Sequence, residues 1–328
     1  MEIMDLMYLF NLFTASKIID IGSFQLAFLS LDMDILSSYV FMVVCAGTMI
    51  LAAAAGAIGT ISVLKGQSLI GDAIGHSAYP GVVIAFMIGM ALDPLKLFIG
   101  AIISGAIAFA LIQLISRHSK LNLDATLAII LSSFFGLGMV LKSYIQGHEA
   151  FAHVSQGGLK NYIFGQAAYI KNADVYLILA VAIPSILIFI IFYKEFKVFI
   201  FDETYAKSIG IKSNFMYALM LVITMGLIAT GLKVVGAILI SSFLIVPAIT
   251  AMQWAQQFNR VILIASLTGM FSAFLGTYIS SIYPGMSTGP SIILVMSLIA
   301  FLSMLIGPRG ILAKYFRRRK FINDKSNV

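Results

Sequence analysis

Charge and cysteine are both scarce in this chain of 328 residues. Only 11% of the residues are Asp, Glu, Lys or Arg, whereas 60% are hydrophobic. Because a soluble domain carries about a quarter charged residues, this composition excludes a large soluble core and indicates a polytopic membrane protein. The single cysteine, Cys45, excludes an internal disulfide and any metal site with several cysteine ligands.

Several motifs of enzymes are missing as well. There is no G-x-x-x-x-G-K-[ST] phosphate loop, so we do not expect the chain to hydrolyse ATP by that route. There is no H-E-x-x-H pair, and the run GHSAY at 75–79 lacks the final glycine of G-x-S-x-G. We therefore expect no catalytic residues and no cofactor. If the chain supports uphill transport, a partner or an ion gradient must supply the energy.

Composition divides the chain into three stretches. Residues 1–35 mix charged and apolar residues without a cleavable signal pattern and predict no definite structure. Residues 36–312 predict a transmembrane domain, and residues 313–328 form a basic tail that includes RRRK at 317–320. Much of the net charge of +7 lies in this tail and in loops between apolar runs. Such cations hold cytoplasmic ends in place and do not indicate nucleic-acid binding.

Apolar runs of about 20 residues, the length of a membrane-spanning helix, predict an all-α fold with eight or nine transmembrane helices. A weaker run lies at 78–92. The eight stronger runs lie at 36–64, 94–116, 124–146, 173–193, 214–235, 236–254, 260–282 and 289–307.

Basic residues between the runs predict the orientation. They fall into three clusters, around 117–120, 194–212 and 309–320. Two spans separate the first two clusters and four separate the last two, so all three are predicted on the cytoplasmic side. The side of the N-terminus stays open. Within the cytoplasmic stretch 194–213, Thr204 to Ile209 predicts a short helix ended by Gly210, which could dock against a soluble partner.

Asp72 and His76 lie one helical turn apart within an otherwise apolar region. Residues at i and i+4 share one face of a helix. Ionisable groups within a membrane cost roughly 2.5 kcal/mol or more each, and they usually line a pathway or a cavity. Carboxylate and imidazole suit Mn, Fe and Zn alike. The pair therefore predicts a metal site inside the membrane.

Pro80 and Gly81 follow this pair directly. Proline lacks the N–H that would bond the carbonyl of His76, so we expect the helix to kink or break here and leave that carbonyl free. Interrupted helices are recurrent ion sites in transporters. Two side chains are too few for a divalent ion, and a two-fold dimer would supply two carboxylates and two imidazoles. The alternative is that Asp72 caps a helix and His76 is an ordinary interior histidine.

Other polar residues are weaker candidates. His148, Glu149 and His153 lie on the longest polar loop, 147–172, where they could meet an incoming metal or simply face solvent. Lys233 lies between two apolar runs, and we expect its side chain to reach the membrane interface.

The chain resembles the integral-membrane permeases of bacterial ABC importers for zinc, manganese and iron chelates, from about residue 36 to 312. The most specific segment is SLIGDAIGHSAYPG at 68–81, close to the family pattern G-D-A-x-S-H-x-x-x-P-G, with Gly75 where the family commonly has serine. The other matching segments are FDETYAKSIGI at 201–211, VGAILISSFLIVPAITA at 235–251, STGPSIILV at 287–295, GPRGIL at 307–312 and GLKNYIFGQAAYIKNADV at 158–175.

The resemblance implies a subunit of an importer in the bacterial cytoplasmic membrane, acting as a homodimer or a heterodimer with a second permease copy. ATP-hydrolysing subunits would bind on the cytoplasmic side, and an extracytoplasmic protein would deliver Mn²⁺, Zn²⁺ or Fe²⁺ as the transported substrate. By position, Asp72 and His76 match the metal-coordinating pair. The segment that contacts the ATPase would include Phe201, Asp202, Ala206 and Gly210.

Two alternatives remain at this level. A proton-coupled metal carrier acting alone would use Asp72 and His76 for both the proton and the metal. A membrane-embedded hydrolase with a metal-bound water would need a base and a third ligand, neither of which is recognisable in the sequence.

Overall fold

The computed structural model of the protein describes residues 33–151, 159, 162, 165, 167–237, 239–283 and 285–313. Within these ranges it is helical and contains no β-strand, as the sequence predicts. Most of the N-terminal segment 1–35 and of the basic tail 313–328, together with His153, lies outside the described residues.

The chain divides into two compact units, Met1–Met42 and Val43–Val328. In the first unit the structure describes a short helix α1, Met33–Ser37, and the first residues of α2. Ser38 links the two, its N–H bonding to the carbonyl of Ile35 and its carbonyl accepting from the N–H of Met42.

Among the described residues, eight helices are long and apolar enough to cross a membrane, which confirms the predicted fold class. They are α2 Tyr39–Leu64, α3 Leu69–Gly89, α4 Pro94–His118, α5 Leu123–Gly147, α6 Asn172–Ile191, α9 Ser213–Val235, α11 Phe258–Ile282 and α12 Thr288–Ile306. Shorter α-helices described in the larger unit are α7 Tyr193–Phe201, α8 Glu203–Ser208 and α10 Ile240–Trp254. Single 3₁₀ turns lie at Glu149–Phe151 and Ala167–Tyr169.

Two of the predicted spans have different bounds. The weak run at 78–92 is the second half of a full span that begins at Leu69, so Asp72 and His76 lie inside a spanning helix. The run at 236–254 is helical only from Ile240, and its length of about 22 Å is less than a hydrocarbon core. Ahead of this helix, the backbone N–H of the buried Ala237 donates to the carbonyl of Tyr162. The irregular backbone is thus covered by protein, as membrane burial requires.

The ends of the helices define two faces of the larger unit. Lys65 after α2, Gln67 before α3, Ser116 in α4 and Ser213 in α9 all lie close to α8. The end of α10 lies near the same face, because Phe258 just after it contacts Phe201 of α7. The end of α12 lies there too, because Gly307 packs beside Gln253 near the end of α10. This face, called the basic face below, carries the described residues of all three basic clusters, in agreement with the predicted topology. Since α2 ends here, it runs inward from the opposite face.

Candidate functional site

Asp72 and His76 lie on one side of α3, as their spacing predicts. The Nε2 atom of His76 is 3.6 Å from Oδ1 of Asp72, too far for a good hydrogen bond. The imidazole packs edge-on against Phe135 of α5, with ring centroids 5.0 Å apart. Its Nδ1 atom is buried without a hydrogen-bond partner. No strong hydrogen bond therefore holds the ring to one role, and its nitrogens keep their capacity to bind.

The expected interruption at Pro80 and Gly81 is wrong: α3 is one continuous helix from Leu69 to Gly89. Close packing against α4 holds it together. A Cβ atom added at Gly81 would collide with the carbonyl oxygen of Gly100 in α4, and the hydroxyl of Ser104 donates to the carbonyl of Ser77 at 2.6 Å. Neighbouring helices commonly compensate for proline inside a membrane helix in this way. A broken helix is therefore not the source of a further ligand.

The pair lies in the half of α3 nearer the basic face. At 1.5 Å per residue, His76 is about 10 Å from the helix start and about 20 Å from its end at Gly89. The side chain of Asp72 is 32% exposed and that of His76 is 14% exposed. The single protomer therefore leaves the acidic side chain open to whatever borders this side of α3. The adjacent Gly75 meets Ile240 of α10, where a Cβ would approach Cγ2 to 3.0 Å.

No third His, Cys, Asp or Glu side chain joins the pair in the part of the protomer that the structure describes. Among the described residues there is no group of three or more His, Cys, Asp or Glu side chains that could hold a metal. His148 and Glu149 follow the far end of α5, on the face opposite the pair's half of α3, and are exposed. Any further His, Cys, Asp or Glu ligand must therefore come from outside the described part of this protomer.

The cytoplasmic segment 194–213 folds as two helices, α7 and α8, joined at Asp202. Oδ1 of Asp202 accepts a hydrogen bond from the N–H of Tyr205 at 2.8 Å and caps α8. Ala206 is fully buried against Phe199 and Met216. Gly210 has φ +89°, a conformation that favours glycine, and ends the short helix as predicted. Asp202, Ala206 and Gly210 thus shape the segment.

Three large side chains on this segment are largely exposed within the protomer. Phe201, Tyr205 and Ile209 are 60%, 55% and 50% exposed. The four-residue spacing of Tyr205 and Ile209 places them on one side of α8 and its end, whereas Phe201 ends α7 and contacts the ring of Phe258. Only Phe201 of these was a candidate from the sequence. The other two were missed because single apolar residues in a polar loop carry little signal.

Glu203 stands on the other side of α8 and is fully engaged. Its Oε2 accepts from Nζ of Lys65 at 3.1 Å and from the hydroxyl of Tyr217 at 2.9 Å, and its Oε1 lies 3.1 Å from Nζ of Lys207. Burial alone would raise the pKa of Glu203, but the hydrogen bonds from Lys207, Lys65 and Tyr217 outweigh it and lower the pKa to about 2. The carboxylate is thus ionised throughout the neutral range.

Lys233, near the end of α9, is paired with a carboxylate, which the sequence does not predict. Its Nζ lies 2.6 Å from Oδ1 of Asp174, a carboxylate whose side chain is only 5% exposed. Oδ2 of Asp174 accepts from the N–H of Lys171 at 2.9 Å. The pair ties α6 to α9 near the face opposite the basic face. Neither residue could be matched to the other from the sequence, since 59 positions separate them.

Comparison with known families gives a match over most of the chain. The family model described as the ABC 3 transport family matches residues 37–307. "Manganese transport system membrane protein MntC" of Bacillus subtilis is 42% identical over 84% of this chain, although the matched region is 62% of that protein's length. "Zinc transport system membrane protein TroC" of Treponema pallidum is 34% identical, over 88% of this chain and 96% of the relative.

The solved structures agree with these relatives. The structure titled "PsaBC from Streptococcus pneumoniae in complex with Fab" superposes with a TM-score of 0.74 at 31% identity, over 84% of this chain and 94% of that one. A second structure, a putative metal-chelate type ABC transporter in an inward-facing conformation, shares the fold at 18% identity and a TM-score of 0.61. With eight candidate spans and a family match over residues 37–307, this chain is a multi-pass membrane permease that belongs to the ABC 3 transport family.

Proposed function

We propose that this chain moves a divalent transition metal, Mn²⁺, Zn²⁺ or Fe²⁺, across the bacterial cytoplasmic membrane as the permease of an ABC importer. The names of its relatives include both manganese and zinc transport systems. Asp72 and His76 are the proposed ligands. The single observation that carries this role is an open Asp–His pair, held within a spanning helix, whose imidazole is not committed to a strong hydrogen bond.

The chemistry of binding follows from the two groups. A metal ion takes a deprotonated carboxylate and a neutral imidazole, which Asp72 and His76 supply. Structural and transport sites for these ions need about four ligands. A second permease copy, facing the first across the open side of α3, would bring another Asp72 and another His76. The partial exposure of Asp72 on that side supports such an arrangement.

The depth of the pair bears on the direction of transport. Metal delivered by an extracytoplasmic binding protein would enter at the face opposite the basic face and travel about 20 Å along α3 to reach His76. From there only about two helical turns remain to the basic face. The pair would thus hold the ion late in its passage, close to the point of release.

ATP-hydrolysing subunits are the proposed partners of the cytoplasmic segment. Phe201, Tyr205 and Ile209 offer apolar side chains that an ATPase groove could take up. Asp202, Ala206 and Gly210 would fix the shape of the segment from within. Closure of the ATPases on ATP would then move α7 and α8 and switch the permease between its two orientations.

Uptake by point variants tests the metal site. We expect Asp72→Asn and His76→Ala to abolish accumulation of radiolabelled manganese and zinc in cells that lack the native permease, while the protein still inserts and assembles. Asp93→Asn and His118→Ala are matched controls, because Asp93 caps α4 at the far face and His118 is exposed at the basic face. Normal accumulation by the Asp72 and His76 variants would refute the assignment.

A further inference from the structure

Lys65 is an almost fully buried lysine at the basic face. It follows the last residue of α2, and its side chain is 8% exposed. Its Nζ lies 3.3 Å from the ring centroid of Phe199 and 4.5 Å from that of Tyr217, in addition to the contact with Glu203. Cation–π contacts strengthen when they are withdrawn from water. One ammonium group thus connects the end of α2 with α7, α8 and α9.

Glu203 and Tyr217 complete this connection. Glu203 belongs to α8, whereas Lys65 and Tyr217 belong to its neighbours, and both donate to the same oxygen, Oε2. The ring of Tyr217 also stands edge-on to Phe199, with centroids 4.9 Å apart. We call Lys65, Glu203 and Tyr217 the joint. Because its members come from three elements, α8 cannot shift without moving them or breaking the contacts.

The joint continues directly into the helix that carries the proposed metal ligands. Gly66, with φ +71°, turns the chain after Lys65, and the N–H of Gln67 donates to the carbonyl of Ser62 at 2.8 Å. Helix α3 then begins at Leu69, one turn before Asp72. A displacement of α8 would therefore reach the start of α3 through Lys65 and the turn at Gly66.

We propose that Lys65 and Glu203 are positioning residues, which transmit the movement of the cytoplasmic segment to the start of α3 and so link ATP hydrolysis to release of the metal. This inference rests on the proposed function. The Lys65 side chain is buried, and the Glu203 carboxylate is engaged by Lys65, Tyr217 and Lys207, so we expect neither residue to bind the metal or the ATPase directly. Substitution of these residues should therefore change the coupling of ATP hydrolysis to transport rather than the binding of the metal or of the ATPase.

The test uses the whole complex of permease, ATPase and binding protein in proteoliposomes and measures metal imported per ATP hydrolysed. We expect Lys65→Met and Glu203→Gln to lower this ratio by about fivefold or more, the range of a typical coupling between sites, while ATP hydrolysis continues. Lys65→Arg keeps the charge and the ring contact and should retain most of the ratio. Tyr217→Phe, which loses only the hydroxyl, should show a smaller decrease.

Lys207→Met is the matched control. Lys207 also pairs with Glu203, but through Oε1 and from within α8, and its side chain is 61% exposed. It joins no second element, so its loss should leave the ratio unchanged. Equal losses in Lys65→Met and Lys207→Met would overturn the proposal in favour of a simple charge effect. An unchanged ratio in Lys65→Met would also overturn it.

Two further measurements distinguish a misfolded variant from a failure of the proposed function and from a failure of the joint proposal. The melting temperature and the assembly of each purified complex show whether a variant is merely misfolded. If Lys65→Met does not assemble, Glu203→Gln and Tyr217→Phe carry the same test, and unchanged ratios in both would overturn the proposal. If the wild-type complex imports no metal with ATP, the proposed function itself fails. If the wild-type complex imports metal and the joint variants have the same ratio of metal imported to ATP hydrolysed, only the proposed role of the joint is rejected.

Discussion

Two groups of ionisable side chains lie in the basic half of this membrane protein, and they differ in how completely they are paired. Glu203 receives hydrogen bonds from Lys65 and Tyr217 and an ion pair from Lys207. Asp72 and His76 stand 3.6 Å apart, and the Nδ1 atom of His76 has no partner. A carboxylate with all its oxygens engaged has no capacity left for a ligand, whereas the open pair has.

From this comparison we infer a difference between charges that hold the fold together and charges that are open to a ligand. Groups that must hold helices together are satisfied within the fold, since an unpaired buried charge is costly. Groups that must bind and release an ion are left incomplete, so that the ion completes them. Asp174 and Lys233 belong to the first class, because both oxygens of Asp174 are occupied. Substitution of a fully paired group should lower the stability of the protein itself, whereas substitution of the open pair should mainly remove the stabilisation by metal.

The largest effect on stability is expected at the paired site of α6 and α9. Lys233→Met leaves Asp174 as a buried carboxylate without its cation, which should lower the free energy of unfolding by about 3 kcal/mol. Chemical denaturation of the purified protein in detergent measures this loss. The double variant Asp174→Asn with Lys233→Met removes both charges and should recover part of it. Equal stability of Lys233→Met and wild type would mean that Lys233 behaves as a lone interfacial cation after all.

A smaller loss of stability, seen only when metal is bound, is expected for substitution of His76 in the open pair. Manganese or zinc at about 100 times its dissociation constant should stabilise the wild type by about 2.7 kcal/mol. His76→Gln should lose this gain, yet its metal-free form should be within about 1 kcal/mol of wild type, because the long contact to Asp72 contributes little. Thermal unfolding with and without metal measures both quantities.

His118→Gln is the control for that measurement. His118 is exposed at the end of α4, so its replacement should leave the stabilisation by metal intact. Stabilisation that survives in His76→Gln would place the metal elsewhere. A large loss of stability in metal-free His76→Gln would instead mean that His76 is an ordinary interior histidine.

Much of the fold follows from the sequence because hydropathy over 20 residues is a strong signal. The start of α3 was missed because Gln67, Ser68, Asp72 and His76, which are all partly exposed, lower the hydropathy of its first turns. The effect of Pro80 was overestimated for a related reason. The rule for proline considers only the hydrogen bond that is lost within α3. It does not include the close packing of Gly81 against Gly100 of α4, because the two residues belong to different segments of the sequence.

The candidate site likewise combines features that follow from neighbouring residues in the sequence with contacts between residues far apart in it. The Asp72–His76 pair and the short helix ended by Gly210 are local patterns, and both were found. The joint was not, because Lys65 and Glu203 are 138 positions apart and neither is unusual alone. A lysine directly after an apolar helix normally suggests an interfacial anchor. Only the folded structure shows it enclosed by Phe199 and Tyr217.

The smallest effect is expected from acidification at the joint. The pKa of Glu203 is lowered to about 2, from an ordinary value near 4.5. A carboxylate with a lowered pKa contributes its full stability above the unfolded value and loses it only as the pH falls towards the folded value. The difference in unfolding free energy between wild type and Glu203→Gln should therefore stay constant from pH 8 to pH 5 and narrow below about pH 4.5. Denaturation of both proteins across this range measures the difference, in which the other titrating groups cancel. If this difference in unfolding free energy already narrows between pH 7 and pH 5, Glu203 is not held ionised by Lys65, Lys207 and Tyr217. The distinction between a fully paired Glu203 and the open pair of Asp72 and His76 would then be lost.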